Sequence, residues 1–397
     1  MDETSVNRAT TRRELLRQAS GAAVAAGLGG TLLAACGGSD SSGSATTEAA
    51  TSEASTTAAA AGTTEAAGGS AATGTGTLSL LARDLEQENF RIILAGCESY
   101  TESSGRNPDD LLTLVYKNDS NLEQQVIGGA VDALQGDEKL LLNAWPNTGE
   151  STPLIARDLE GKGFFVSHWN KPDGLFPWDV GPQWVAHIAF NGGEAHLQLS
   201  QLMFESIGGE GGVCAIRGLV DTTNDQQNYA AFQEAVGEFP GITELDVQPG
   251  NWDRKRAFNF TQTWISQFGD ELNAIWSSND DMALGALEAL RAAGLAGQVA
   301  LVGADGVSEA VKAVADGEMT ATALFDSYWQ GGIGLAIVDA AHKGEIDVDA
   351  LPHENRAFFG PITIIDQNNY QEYLGERDPS KYDWTDLFGE ATGPITT

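Results

Sequence analysis

The chain has 397 residues, with 56 Asp and Glu against 22 Lys and Arg and a formal net charge of −34. Nucleic-acid binding needs clustered cations to neutralise phosphates; no such cluster occurs, which excludes DNA and RNA as partners. The cysteines, at 36, 97 and 214, are too few and too scattered for a disulfide framework.

From the N-terminus, Thr11-Arg12-Arg13-Glu14-Leu15-Leu16-Arg17 resembles a twin-arginine export signal. Residues 19–35 follow as a weakly apolar Ala/Gly-rich stretch, too short and too rich in glycine to span a bilayer. Leu33-Ala34-Ala35-Cys36 resembles a lipoprotein cleavage box. Residues 1–36 therefore read as a signal peptide, with Cys36 the lipidated first residue of the mature protein. Residues 37–76 are Ala, Thr, Ser, Gly and Glu with almost no large apolar side chain. Such a segment cannot bury enough surface to offset its ordering entropy, and it reads as a disordered tether. About forty flexible residues span roughly 35 Å root-mean-square, which would lift a globular body off a membrane surface.

About 320 residues remain, room for two lobes of ordinary domain size. Apolar runs alternate with amphipathic helices from residue 77 onward, the pattern of a parallel α/β sheet. Residues 78–82 are the first strand, and the helix 89–100 carries Phe90, Ile93, Leu94 and Cys97 on its apolar face. Strand 111–116 follows, then Ser120-x-x-Glu123 as a capping box opening a helix over 122–134. Strands 139–144 and 163–167 continue the sheet. A passage between lobes is expected at His187-Ile188-Ala189-Phe190-Asn191. Beyond it the pattern gives helix 193–207, strand 212–217, helix 224–237, strand 243–248 and helix 254–268.

Residues 273–306 carry the most information. Strand 273–277 runs into a helix that Asn279 or Asp280 can cap, with Ala283, Leu284, Leu287 and Leu290 at helical spacing and Gly294 as its stop. Strand 299–302 ends at Asp305-Gly306. Ligands of open parallel sheets bind beyond the carboxyl ends of the strands, so Asn279 and Asp305 project towards one crevice. No catalytic base or nucleophile accompanies them here, which favours recognition over chemistry. Strand 320–325, helix 328–342 and a last crossing near Phe359-Gly360-Pro361 complete the body.

The segments Asn279-Asp280-Asp281-Met282-Ala283-Leu284-Gly285-Ala286 and Val302-Gly303-Ala304-Asp305-Gly306 resemble the type I periplasmic sugar-binding proteins, the ribose-binding group in particular. Sugar-responsive LacI-type regulators share these motifs, but a regulator would carry a helix-turn-helix in place of an export signal. The resemblance covers roughly residues 77–375. It implies an α/β fold of two doubly wound parallel-sheet lobes joined by a three-strand hinge. The N-terminal lobe is expected over 77–189 and 327–357, and the C-terminal lobe over 190–326 and 358–375. A tail over 376–397 lies outside the resemblance.

Sugar pockets need flat aromatic faces for C–H surfaces, with amides and carboxylates for hydroxyls. The resemblance places Trp252 where an aromatic stacks on the sugar, and Asn279 and Asp305 at binding positions. Phe90 matches the last aromatic of an Asn-Pro-Phe-Phe motif that reads Glu88-Asn89-Phe90 here, and Phe325 and Asp326 straddle a crossing that commonly supplies a polar contact. Two departures stand out. Trp169-Asn170 occupies the place of an Asp-Arg pair, and Asn228 that of a further arginine. Loss of these hydroxyl-gripping forks implies a different ligand or a pose dominated by stacking. The insert 171–185, with Phe176, Trp178 and Trp184, forms either a lid over the pocket or a packed surface loop. Trp145, Arg83 and Asp84 are candidates by position alone.

Metal-ligand spacing among the histidines, a phosphate loop, a Gly-x-Ser-x-Gly elbow and a dinucleotide fingerprint are all lacking, so neither cofactor, metal nor enzymatic activity is expected. The expected role is a lipid-anchored, extracytoplasmic solute-binding protein, monomeric, on an outer cell surface or in a periplasm. It captures a monosaccharide or polyol and presents it to an ABC-type permease by hinge closure. A ligand sensor of the same fold that signals to a receptor is an alternative, and a carboxylate-dependent glycoside hydrolase a more distant one.

Overall fold

The structure, a computed structural model, describes residues 75–220, 222–375 and 378–396; the leader, Cys36 and the tether lie outside them. Two sheets of the same winding make up the body. The first contains β1 (Gly76–Ala82), β2 (Leu112–Val115), β3 (Lys139–Ala144), β4 (Gly163–His168), β5 (Trp184–Phe190), β11 (Ala357–Gly360) and β13 (Gly393–Pro394), in the spatial order β13-β11-β5-β4-β3-β1-β2. The second contains β6 (Glu210–Arg217), β7 (Gly241–Pro249), β8 (Leu272–Ser277), β9 (Ala300–Asp305), β10 (Ala321–Phe325) and β12 (Ile362–Ile365), ordered β12-β10-β9-β8-β6-β7. Every pairing is parallel except those of β12 and β13, each antiparallel at an edge. In both sheets the strand order reverses beside the first strand of the lobe, β1 or β6, which opens a crevice at the carboxyl ends.

The chain passes between the sheets three times: after β5, after β10, and through Pro361 between β11 and β12. Phe190 and Phe358–Gly360 therefore belong to the first sheet, not to the C-terminal lobe in which they were expected. Register explains the correction. Phe358 pairs with Ile188 and Gly360 with Phe190, so β11 extends β5 before the chain leaves.

Helices cover both faces: α1 (Glu88–Ser103), α2 (Ser120–Asp132), α3 (Ser151–Asp158), α4 (Gly192–Ser206), α5 (Thr223–Glu238), α6 (Arg254–Phe268), α7 (Asp280–Ala293), α8 (Ser308–Ala315) and α9 (Ser327–Lys343). Short polar residues start most of them by accepting an orphan backbone N–H: Asn191, Thr222, Asp253, Asn279 and Asp326. The capping box at α2 is not formed. Asp119 takes the first N–H groups instead, and Glu123 is buried beneath the loop after β3, accepting from Asn147 N and Ser151 Oγ.

Helix α9 is buried on every side from Ser327 to His342. It packs on α1 and the first sheet, and the tail closes its remaining face. Trp384 lies against Gly332, stacks near Tyr328 and is parallel to Tyr382. The insert 171–185 packs as a surface loop. Trp184 lies within β5 stacked on Phe165, and Trp178 is sandwiched between Phe176 and His353. Cys97 and Cys214 are free and buried, one in each lobe. Among the described residues no helix is long and apolar enough to cross a membrane.

Candidate functional site

A cleft of about 860 Å³, its mouth included, opens between the two sheets at their carboxyl ends. Arg83 follows β1, Tyr116 and Asn118 follow β2, Trp145 and Asn147 follow β3, and Trp169 and Asn170 follow β4. From the other side come Thr222, Asn224 and Asn228 at the start of α5, Trp252 after β7, Ser278 and Asn279 after β8, and Asp305 at the end of β9. Phe190 and Phe325, at the ends of two crossing strands, stack with centroids 5.0 Å apart and form the floor.

Ten of the residues singled out from sequence meet here: Arg83, Phe90, Trp145, Trp169, Asn170, Asn228, Trp252, Asn279, Asp305 and Phe325, whereas Asp84 is not among the lining residues. Asp326 does not line this cleft. It caps α9 through Trp329 N and accepts the Tyr382 hydroxyl at 3.0 Å, so the tail claims it. Nor does Trp178 or Trp184 reach the cleft. Sequence reasoning passed over Asn89, Tyr116, Asn118, Asn147, Thr222, Asn224 and Gln227. Reading every strand end and every helix start as a potential wall would have found them.

Among the described residues, the non-glycine residues with left-handed φ are Lys117, Asn118, Trp169, Asn251, Trp252 and Asp305. Four of them line the cleft, and Lys117 and Asn251 directly precede lining residues. Positive φ costs a bulky side chain on the order of 1–3 kcal/mol, so the surrounding packing must impose it. At Trp252 the constraint is visible: its ring lies against Gly218, where an added Cβ would collide with the indole.

The first-lobe wall is aromatic. Trp145 stands edge-on to Phe90 and Trp169, and its far face stacks on His168 at 4.0 Å. Burial drives the His168 pKa well below its ordinary value, so a neutral ring backs the indole. Tyr116 Oη donates to the Trp145 carbonyl at 2.9 Å and anchors the same turn.

The polar groups are arranged with their amide nitrogens tied down. Asn170 Nδ2 donates to Pro146 O at 3.0 Å and Asn228 Nδ2 to Ser278 Oγ at 3.3 Å. Their Oδ1 atoms, with Asn89 Oδ1, are buried and unpaired, as is the Trp145 Nε1 donor. Asn279 Oδ1 caps α7 while its Nδ2 reaches Asp305 Oδ2 at 3.4 Å. Burial, reinforced by neighbouring Asp280, pushes the Asp305 pKa well up. Asp280 is itself raised by burial to about 7, and it accepts from Val307 N and Thr322 Oγ1. Among the described residues, Arg83 and Asp305 are the only formally charged side chains on the cleft wall.

The two lobes already touch. Gln87 Nε2 donates to Trp252 O at 2.6 Å, Ser308 N to Glu88 Oε1 at 3.0 Å, and Thr223 Oγ1 to Lys171 O at 3.3 Å. Two hinged lobes meeting over an aromatic, amide-rich cleft define a protein that encloses a small ligand. Residues 185–346 match the family model described as a periplasmic binding protein domain. The chain is 31% identical to a solved twin-arginine translocation pathway signal protein from Burkholderia phytofirmans, with a TM-score of 0.77, over 82% of this chain and 99% of that one. It is 27% identical to the ribose import binding protein of Haemophilus influenzae over 70% of this chain and 89% of the other. A xylitol-binding protein of Mycolicibacterium smegmatis is 35% identical over 40% of this chain, an alignment that spans only 45% of that protein. The chain belongs to the periplasmic binding proteins, in their type I sugar-binding group, a family of extracytoplasmic substrate-binding proteins.

Proposed function

We propose that this protein captures a small uncharged polyhydroxylated ligand, a monosaccharide or polyol, and delivers it to an ABC-type permease. The observation that carries this reading is the set of unpaired amide oxygens of Asn89, Asn170 and Asn228 on the cleft wall. A buried acceptor without a donor costs about 1–3 kcal/mol, and a ligand that supplies O–H groups removes that cost. Fully ionised carboxylate, phosphate and sulfonate groups bring only acceptors and leave these oxygens unpaired. Trp145, Trp169, Trp252 and Phe90 offer the flat apolar faces that C–H surfaces need, and relatives described as binding ribose and xylitol support the same class.

Binding proceeds by closure of the lobes about the three crossings. Ligand contacts residues of both lobes only when they meet, so its differential affinity drives the closed state. Cys36 supplies the lipid anchor and residues 37–76 the tether. The support for export is Arg12-Arg13 before an Ala/Gly-rich stretch, together with a solved relative itself described as a twin-arginine pathway signal protein. The protein acts as a monomer and performs no turnover.

The test is a thermal-shift screen of purified protein against pentoses, hexoses, inositols and linear polyols, with sugar phosphates and amino acids as controls. A ligand at a hundredfold over its dissociation constant should add about 2.7 kcal/mol of stability. A panel with no shift, or shifts only with the charged controls, overturns the proposal.

A further inference from the structure

Among the described residues, Arg83 is the only cationic side chain lining the cleft. It follows β1, beside the point where the first sheet reverses direction. Its guanidinium lies between two aromatic faces from opposite lobes, with Cζ 5.1 Å from the Phe90 centroid and 5.8 Å from that of Trp252. Nε lies 3.4 Å from Asp84 Oδ2, and Nη2 donates to Gln87 Oε1. Gln87 in turn donates through Nε2 to the Trp252 carbonyl of the other lobe. Asp84 also caps the following turn through Glu86 N and Gln87 N, so the arginine rests on a rigid loop. Nη1 has no hydrogen-bond partner among the described residues.

Resting on the carbohydrate reading above, we infer that Arg83 donates hydrogen bonds to the bound ligand and determines which polyol this cleft prefers. The second-lobe wall holds Asn228 Oδ1, an unpaired acceptor, and Asp305; the first-lobe wall holds the unpaired Oδ1 atoms of Asn89 and Asn170 together with the donors Trp145 Nε1 and Arg83. A ligand oxygen beside β1 therefore meets a donor, and hydroxyls beside α5 and β4 meet acceptors. This asymmetry orients a polyol in one direction. A planar guanidinium held between two rings cannot swing to follow a hydroxyl at another position, so a change of stereochemistry beside β1 loses the bond outright. Trp252 completes the sandwich only when the lobes meet, which couples the contact to closure.

The test measures affinities of wild type, Arg83→Lys and Arg83→Ala for the whole polyol and monosaccharide panel by titration calorimetry, with the unliganded melting temperature of each. The expected result is at least a tenfold loss for the preferred ligand in Arg83→Lys, a larger loss in Arg83→Ala, and a changed order of preference in both. Lysine keeps the charge but not the fork, so Arg83→Lys separates donor geometry from simple attraction. Preference order retained with all ligands weakened equally overturns the inference and makes Arg83 a clasp between lobes. Affinities within threefold of wild type overturn it as well. If wild type binds no member of the panel, the carbohydrate reading falls and this inference falls with it; if wild type binds and the variants match it, only this inference fails.

Discussion

Asp305 adopts φ 128° at the end of β9, buried beside Asp280 and held by Asn279 Nδ2. A carboxyl whose pKa is pushed well up by burial is not there for stability, because Asn279 and Arg83 do not offset the cost of burying its charged form. Asp305→Ala should therefore leave the unliganded unfolding midpoint unchanged or higher, while ligand affinity falls at least a hundredfold, about 2.7 kcal/mol by calorimetry. Trp252→Ala should cost a similar factor. Unchanged affinity in both variants would remove these residues from the pocket. Asp280 has a separate signature. Its unfolded form ionises near 3.8 and its folded form at about 7, so between those values the native state holds the extra proton. Its contribution to stability is greatest below about pH 4, declines as pH rises to about 7, and is constant above. Denaturant titrations at several pH values should show that decline in wild type minus Asp280→Asn; a flat difference would refute it.

At the scale of elements, the helices were readable because their caps and periods are local. Asn279, the four apolar positions Ala283, Leu284, Leu287 and Leu290, and Gly294 define α7 without help from the rest of the chain. Where a side chain has a distant claimant, local reading fails. Glu123 looked like half a capping box, yet it serves Asn147 and Ser151, and Asp119 caps the helix. Helix α9 gives the sharpest case. Within its buried length Asp339 accepts Tyr100 Oη at 2.6 Å, Arg106 Nη2 at 2.8 Å and Lys343 Nζ at 2.9 Å. Burial opposes ionisation there, but those three donors hold the Asp339 pKa below its ordinary value. Removing the carboxylate strands its partners, so Asp339→Ala should lower unfolding free energy by about 3 kcal/mol. A denaturation curve superimposing on wild type would show that α1 and α9 pack without this network.

Across the whole molecule, the three crossings and the tail divide the work of the hinge. Phe190 on Phe325 ties two crossings together under the cleft, while the third runs through Pro361. The tail adds β13 to the first sheet, lays Trp384 on α9 and takes up Asp326 through Tyr382, yet none of its described residues lines the cleft. A chain ending at Gly375 should lose stability by roughly 3–5 kcal/mol, the scale of a buried tryptophan, and still gain the same increment from a saturating ligand. Loss of the ligand increment would place the tail in the binding mechanism. In solution, scattering should show a smaller radius of gyration with ligand than without, as closure about the crossings requires.

The amino-acid sequence by itself determined the alternation of strands and helices, the two-lobed class, and the ends of strands at which Asn279, Asp305 and Trp252 would stand. The alternation and the places of Asn279 and Asp305 follow from periodicity, capping and the rule that parallel sheets bind at their carboxyl ends, all short-range in the chain. The two-lobed class and the role of Trp252 rest instead on the resemblance to sugar-binding proteins. Only the tertiary structure decided that Arg83 lies between Phe90 and Trp252, that Asn170 and Asn228 turn their oxygens free, and that Asp326, Trp178 and Trp184 are engaged elsewhere. The reason is distance along the chain. Gln87 and Trp252, which close the cleft, are 165 residues apart, and Asp326 meets Tyr382 across 56. A side chain's period tells which face it occupies, but its partners are set by packing between segments that no local pattern relates.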